Sequence, residues 1–84
     1  MNRYIVTFYT HYGAVRFDRQ CRQNGIPVKM MPVPRKLSSS CGTCVFFEAE
    51  SHSFVRPDED LECCYLIKDN NVYERVEISD EKEN

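Results

Sequence analysis

The chain has no tryptophan, only three glycines, and no apolar run long enough to span a membrane. Tyr and Phe, five of each, must supply the aromatic bulk of any core. The opening residues Met1-Asn2-Arg3-Tyr4-Ile5-Val6-Thr7-Phe8 form a strand pattern rather than the apolar core of a signal peptide, so the cytosol is the expected compartment. Acid is nearly missing from the first half. Residues 1–42 hold Asp18 alone against seven Lys and Arg, whereas residues 43–84 hold twelve acids against four bases. There is no internal repeat and no linker. No separated pair of carboxylates points to general acid–base chemistry.

Eighty-four residues make one domain near the lower limit for a self-sufficient core, and dimerisation is a natural way to add buried area. Residues 1–78 carry the pattern of that domain. The remainder, 79–84, is charged and expected to fray.

Against this background the five cysteines stand out. An odd count without an export signal argues against a disulfide framework and for thiol chemistry or core packing. Two of them lie in Pro34-Arg35-Lys36-Leu37-Ser38-Ser39-Ser40-Cys41-Gly42-Thr43-Cys44, a loop of small polar residues beside two cations. The thiolate is the reactive form of cysteine, and access and positive potential favour it. Cys41 is therefore the candidate nucleophile. Gly42 lets the backbone turn, Ser39 and Ser40 offer hydroxyls and N–H groups, and Arg35 and Lys36 add positive field. Cys44 is either a resolving thiol for Cys41 or an ordinary strand residue. A disulfide between them requires Gly42-Thr43 to turn.

Coarse periodicity predicts a strand over 4–9 and a helix over 12–24, with Thr10 as N-cap and Gly25 just past the C-terminus. A strand over 26–33 belongs at a sheet edge because Pro27 and Pro32 cannot donate to a central ladder. A third strand over 44–49 suits a central position. Pro57, followed by Asp58, Glu59 and Asp60, reads as the start of a second helix reaching Lys68. Asn70-Asn71 breaks it, and a last strand covers 72–78. The order β-α-β-β-α-β predicts an α+β, ferredoxin-like domain, a four-stranded antiparallel sheet with two helices on one face. Strands one and three should then be central. The loop between strands two and three should lie at the same end as the first helix's start, placing Cys41 near Thr10, His11 and Tyr12.

These residues resemble a known family, the small selenium/sulfur-carrier-like domains. The resemblance rests on Tyr-Ile-Val-Thr-Phe-Tyr at 4–9, Asn24-Gly25-Ile26-Pro27-Val28, Pro32-Val33-Pro34-Arg35, Leu37-Ser38-Ser39-Ser40-Cys41-Gly42 and Asp60-Leu61-Glu62. It implies that Cys41 is a carrier thiol relaying sulfur or selenium as a persulfide or its selenium equivalent. The implied partners are a cysteine desulfurase or selenocysteine lyase as donor and an acceptor protein. The domain reads as a carrier or small thiol-redox protein rather than a complete enzyme, without bound cofactor.

The other candidates are weaker. His11 could assist Cys41, while His52 sits in a loop beyond the third strand. On a helix, Cys64 and Cys21 would face the core and Cys63 would be half-exposed. Zinc held by Cys41, Cys44, Cys63 and Cys64 is disfavoured by the vicinal pair, and by the second helix starting at the sheet's opposite end. A rival reading is a binding or interaction module with an incidental cysteine loop. In its nucleic-acid form Tyr4, Phe8 and Phe46 are the stacking platforms. The acidic second half opposes that reading, and no aromatic RNA-binding signature is present.

Overall fold

A computed structural model of the chain describes residues 1–69 and 72–78. The elements are β1 (Asn2–Phe8), α1 (His11–Gln23), β2 (Val28–Pro32), β3 (Thr43–Ala49), β4 (Leu61–Lys68) and β5 (Val72–Val76). The strands form one sheet in the order β2-β3-β1-β4-β5, antiparallel at every pairing. The domain is α+β, and α1 covers one face of the sheet.

β1 is the axis of the fold. Its β-branched and aromatic residues suit a strand flanked on both sides, and Tyr4 to Phe8 are all buried. Tyr4, Val6 and Phe8 point to the helix side, where they join Ala14, Phe17 and Cys21 of α1 and Val45 and Phe47 of β3. Tyr4 stacks on Phe47 with centroids 5.0 Å apart, and Phe8 meets Phe17 at 5.6 Å. With no tryptophan present, these rings form the core, each buried Phe contributing about 1.5–3 kcal/mol.

The helix starts where the sequence predicts. The Thr10 hydroxyl accepts from the Gly13 N–H at 3.0 Å, and Gly25 follows the C-terminus at φ +71°. Gly13 itself is set by packing: a Cβ there would lie 2.6 Å from the Cβ of Asp60. β2 is an edge strand as expected, and β1 and β3 are interior.

The expected second helix is a strand, so one helix and five strands replace two helices and four strands. Two local features explain the difference. Asp58 accepts from the Asp60 and Leu61 N–H groups at 2.8 and 3.0 Å, so its carboxylate closes a turn into β4 instead of capping a helix. A bulge then inserts Glu62 between the pairs Phe8↔Leu61 and Thr7↔Cys63. Leu61 and Cys64 consequently share the core face at a spacing of three, which imitates a helical stripe. β4 takes the place beside β1 that was expected for the last strand, and β5 moves to the outer edge. The residues 70, 71 and 79–84, expected as a helix break and a frayed tail, lie outside the described residues. No helix among the described residues is long and apolar enough to cross a membrane.

Candidate functional site

The β2–β3 connection forms the site. The Val33 N–H donates to the Gly42 carbonyl at 3.2 Å, which prolongs the ladder by one pair and closes a loop over 34–41. Inside it, the Leu37 N–H donates to the Pro34 carbonyl at 2.9 Å and holds Arg35 and Lys36 at the exposed corner of a turn. The loop returns to the sheet through Ser39, whose hydroxyl donates to the Phe8 carbonyl at 3.0 Å. The Ser40 N–H faces a Glu62 carboxylate oxygen at 3.3 Å. Gly42 stands at φ +74° with open space where a side chain would begin. A residue with a Cβ pays a steric penalty in that left-handed region.

Cys41 is half-buried at the end of this loop. One side touches the core cluster, and its thiol lies 3.4 Å from the Thr43 carbonyl. Cys44, the second residue of β3, is fully buried, with its thiol 3.7 Å from the Pro32 carbonyl. Burial, and secondarily the neighbouring Cys41, push the Cys44 thiol up to about 11. The pair therefore consists of an accessible thiol and a sealed one that keeps its proton at neutral pH. All five cysteines are free.

The Ser39 tether places the loop at the end of β1 that leads through Thr10 into α1, the end the sequence predicts. His11 is exposed at the first position of α1, while the Cys41 thiol is directed to the Thr43 carbonyl. Glu62 was not anticipated as a loop contact, because its role depends on the bulge in β4.

The remaining cysteines need one correction. Cys63 and Cys64 are strand neighbours and point to opposite faces. Cys64 is sealed in the core, where burial raises it to about 12; Cys21 rises to about 11 by burial and by Asp18. Cys63 is half-exposed on the face away from α1 and contacts the Tyr65 hydroxyl. The start of β4 also lies at the same end of the sheet as the Cys41 loop, since Leu61 pairs with Phe8. Opposite ends of the sheet therefore do not separate Cys41 and Cys44 from Cys63 and Cys64. Among the described residues no three metal-ligating side chains converge.

The stacking platform proposed for the rival reading also changes. Tyr4 and Phe8 are 3% and 1% exposed beneath α1, whereas Phe46 points to the other face. A cavity of about 520 Å³ lies under α1 between Phe17, Cys21, Phe54 and Leu61, and a groove of about 680 Å³ runs along Glu62, Cys63, Arg75 and Val76. Neither is lined by Cys41.

The fold and the site define a small α+β domain that presents one thiol on a tethered loop. The chain belongs to the family described as "Putative Se/S carrier protein-like", which matches it over residues 3–73. No curated protein and no solved structure matches the chain.

Proposed function

We propose that this domain carries sulfur or selenium on Cys41 between a donor protein and an acceptor. The supporting observation is the inequality of the C-x-x-C pair: Cys41 is reachable on a loop, and Cys44 is buried and held protonated beside it. A thiol that works from a surface loop, outside the two cavities described above, suits handover between proteins better than turnover of a small molecule.

In the loading step the Cys41 thiolate attacks the terminal sulfur of a persulfide on the donor, a cysteine desulfurase or selenocysteine lyase. A new sulfur–sulfur bond forms on Cys41, and the donor cysteine leaves as its thiolate. In delivery, an acceptor nucleophile takes the terminal sulfur and Cys41 departs as thiolate. Cys44 offers a second exit: its thiolate attacks the inner sulfur of the Cys41 persulfide, expels hydrosulfide and leaves a Cys41–Cys44 disulfide. A thiol reductant must then reduce that bond by two electrons. Because Cys44 is sealed and protonated, this exit waits for the loop to open, and the cargo is retained until then. Arg35 and Lys36 on the exposed corner supply positive field for the attacking thiolate and a surface for an acidic donor.

The test uses radiolabelled cysteine, an active desulfurase and non-reducing gels. Label should stay on the wild type and on Cys44→Ser and be absent from Cys41→Ser. Slower spontaneous loss of sulfide from loaded Cys44→Ser than from the wild type would support the resolving role. Equal labelling of Cys41→Ser and wild type would refute the carrier assignment.

A further inference from the structure

The thiol loop shares its end of the sheet with two exposed tyrosines. Tyr9 and Tyr12 are 51% and 66% exposed. Tyr9 directly follows Phe8, whose carbonyl accepts from Ser39, and Tyr12 lies in the first turn of α1. The other exposed large apolar residues among the described ones stand apart from this pair. Phe54 lies over the core, stacked on Phe17 at 6.1 Å and edge-on to Phe47 at 5.1 Å. Met1 and Val72 are at the opposite end of the sheet, where Arg3 pairs with Ile67 and Lys68 with Val72.

Both tyrosines are steadied at their roots. The Tyr9 N–H donates to the Asp60 carbonyl at 2.8 Å, which fixes the backbone that carries the ring. The Arg16 guanidinium lies over the Tyr12 ring at 5.5 Å, and Asp58 at 3.0 Å and Asp60 at 3.8 Å hold that guanidinium. One short turn, Asp58 to Asp60, therefore supports both residues. Among the described residues neither hydroxyl has a hydrogen-bond partner, and Tyr9 has no aromatic contact. A tyrosine held in this way offers contact area at small entropic cost, the property that makes it frequent at protein interfaces.

We propose that Tyr9 and Tyr12 are the anchors on which the persulfide-bearing donor protein docks to load Cys41. The inference rests on the carrier reading and adds to it the surface that the donor covers. In loading, the Cys41 thiolate takes the terminal sulfur and the donor cysteine leaves as its thiolate. The donor must bring that sulfur to bonding distance, so it covers whatever surrounds the half-buried thiol. Two residues from Cys41 to Ser39, and the Ser39 bond to Phe8, put Tyr9 within about 15 Å of Cys41. Tyr12, three residues on, adds at most about 11 Å. A standard interface covers about 800 Å² per partner, a patch about 30 Å across, which takes in the thiol and both rings. The donor is the occupant because the persulfide it surrenders is formed on a protein cysteine, whereas delivery needs only a nucleophile of any size. A second copy seated on these rings would shut Cys41 off from its donor. Arg35 and Lys36 guide the approach, and the rings hold the docked complex.

The experiment compares loading of the whole chain by two sulfur sources. One is an active cysteine desulfurase, with the rate followed against carrier concentration. The other is glutathione persulfide, which needs no docking surface. Tyr9→Ala and Tyr12→Ala, checked by circular dichroism, should each raise KM for the desulfurase reaction about tenfold, with the change confined to KM. Tyr12→Phe, which keeps the ring, should load like the wild type, and so should Val72→Ala at the far end of the sheet. Glutathione persulfide should load every variant at the wild-type rate. Because the anchoring contact is apolar, the ratio of KM values should persist at high salt. Unchanged KM in both alanine variants overturns the inference, as does a loss that appears equally with glutathione persulfide. A wild type loaded by glutathione persulfide and refused by the desulfurase overturns the docking surface alone. Refusal of both sources overturns the carrier reading with it. Sedimentation that shows a wild-type dimer dissolved by Tyr12→Ala assigns the rings to a second copy and overturns the proposal too.

Discussion

The hydroxyl of Ser39 donates to the carbonyl of Phe8 across 3.0 Å, tying the thiol loop to the end of the central strand. Among the described residues it is the side-chain bond that joins the serine run to β1. Ser39→Ala should cost about 1 kcal/mol, the usual loss for a part-buried hydrogen bond. In a domain of this size that is a fall in Tm of about 4–8 °C, readable by differential scanning calorimetry. Ser38→Ala, at an exposed neighbour, should leave Tm unchanged.

The five thiols should react in an order set by exposure. Iodoacetamide at neutral pH should modify Cys41 and Cys63 in the native protein and leave Cys21, Cys44 and Cys64 untouched until urea is added. Peptide mapping by mass spectrometry reads this directly. Native modification of Cys44 at the rate of Cys41 would contradict the sealed-partner description.

Buried thiols also predict how stability responds to alkali. Cys44 and Cys21 stand at about 11 and Cys64 at about 12 in the folded chain, against an ordinary value of 9.0. The folded state therefore holds these protons more tightly than the unfolded state. Their stabilising contribution is fully present below about pH 9 and is lost as pH rises through 11 to 12. Urea midpoints should thus be level between pH 7 and 8.5 and fall steeply above pH 9. Cys21→Ala should make that fall shallower even though it lowers the midpoint at pH 7.

Gly13 tests the docking of the Asp58–Asp60 turn on α1. A Cβ at this position would meet the Asp60 Cβ at 2.6 Å and the Phe8 ring at 3.2 Å, so Gly13→Ala must push the turn away. The Tyr9 N–H bond to the Asp60 carbonyl at 2.8 Å and the Thr10 bond to its carboxylate at 3.1 Å resist that shift. A loss of about 1–3 kcal/mol is expected from overpacking, despite alanine's better helix propensity. A gain in the urea midpoint would show that the turn moves freely.

Much of this fold is legible because its signals are local. The alternation in β1, the Thr10 and Gly25 punctuation of α1, and the prolines at either end of β2, Pro27 just before it and Pro32 within it, all mean what they usually mean. β4 misleads because a bulge at Glu62 puts Leu61 and Cys64 on one face, and because Asp58 closes a turn with the same chemistry that caps a helix. The thiol loop is readable for the same local reason as β1. The inequality of Cys41 and Cys44 is not, since it depends on the register that sets Cys44 between Thr7 and Met31.

The central claim is that Cys41 carries the cargo, and intact-mass analysis after incubation with an active cysteine desulfurase and cysteine addresses it most directly. The account predicts a gain of one sulfur atom on the wild type, mapped to Cys41 and missing from Cys41→Ser. An unmodified wild type beside a working desulfurase, or sulfur mapped to Cys63 instead, would contradict it.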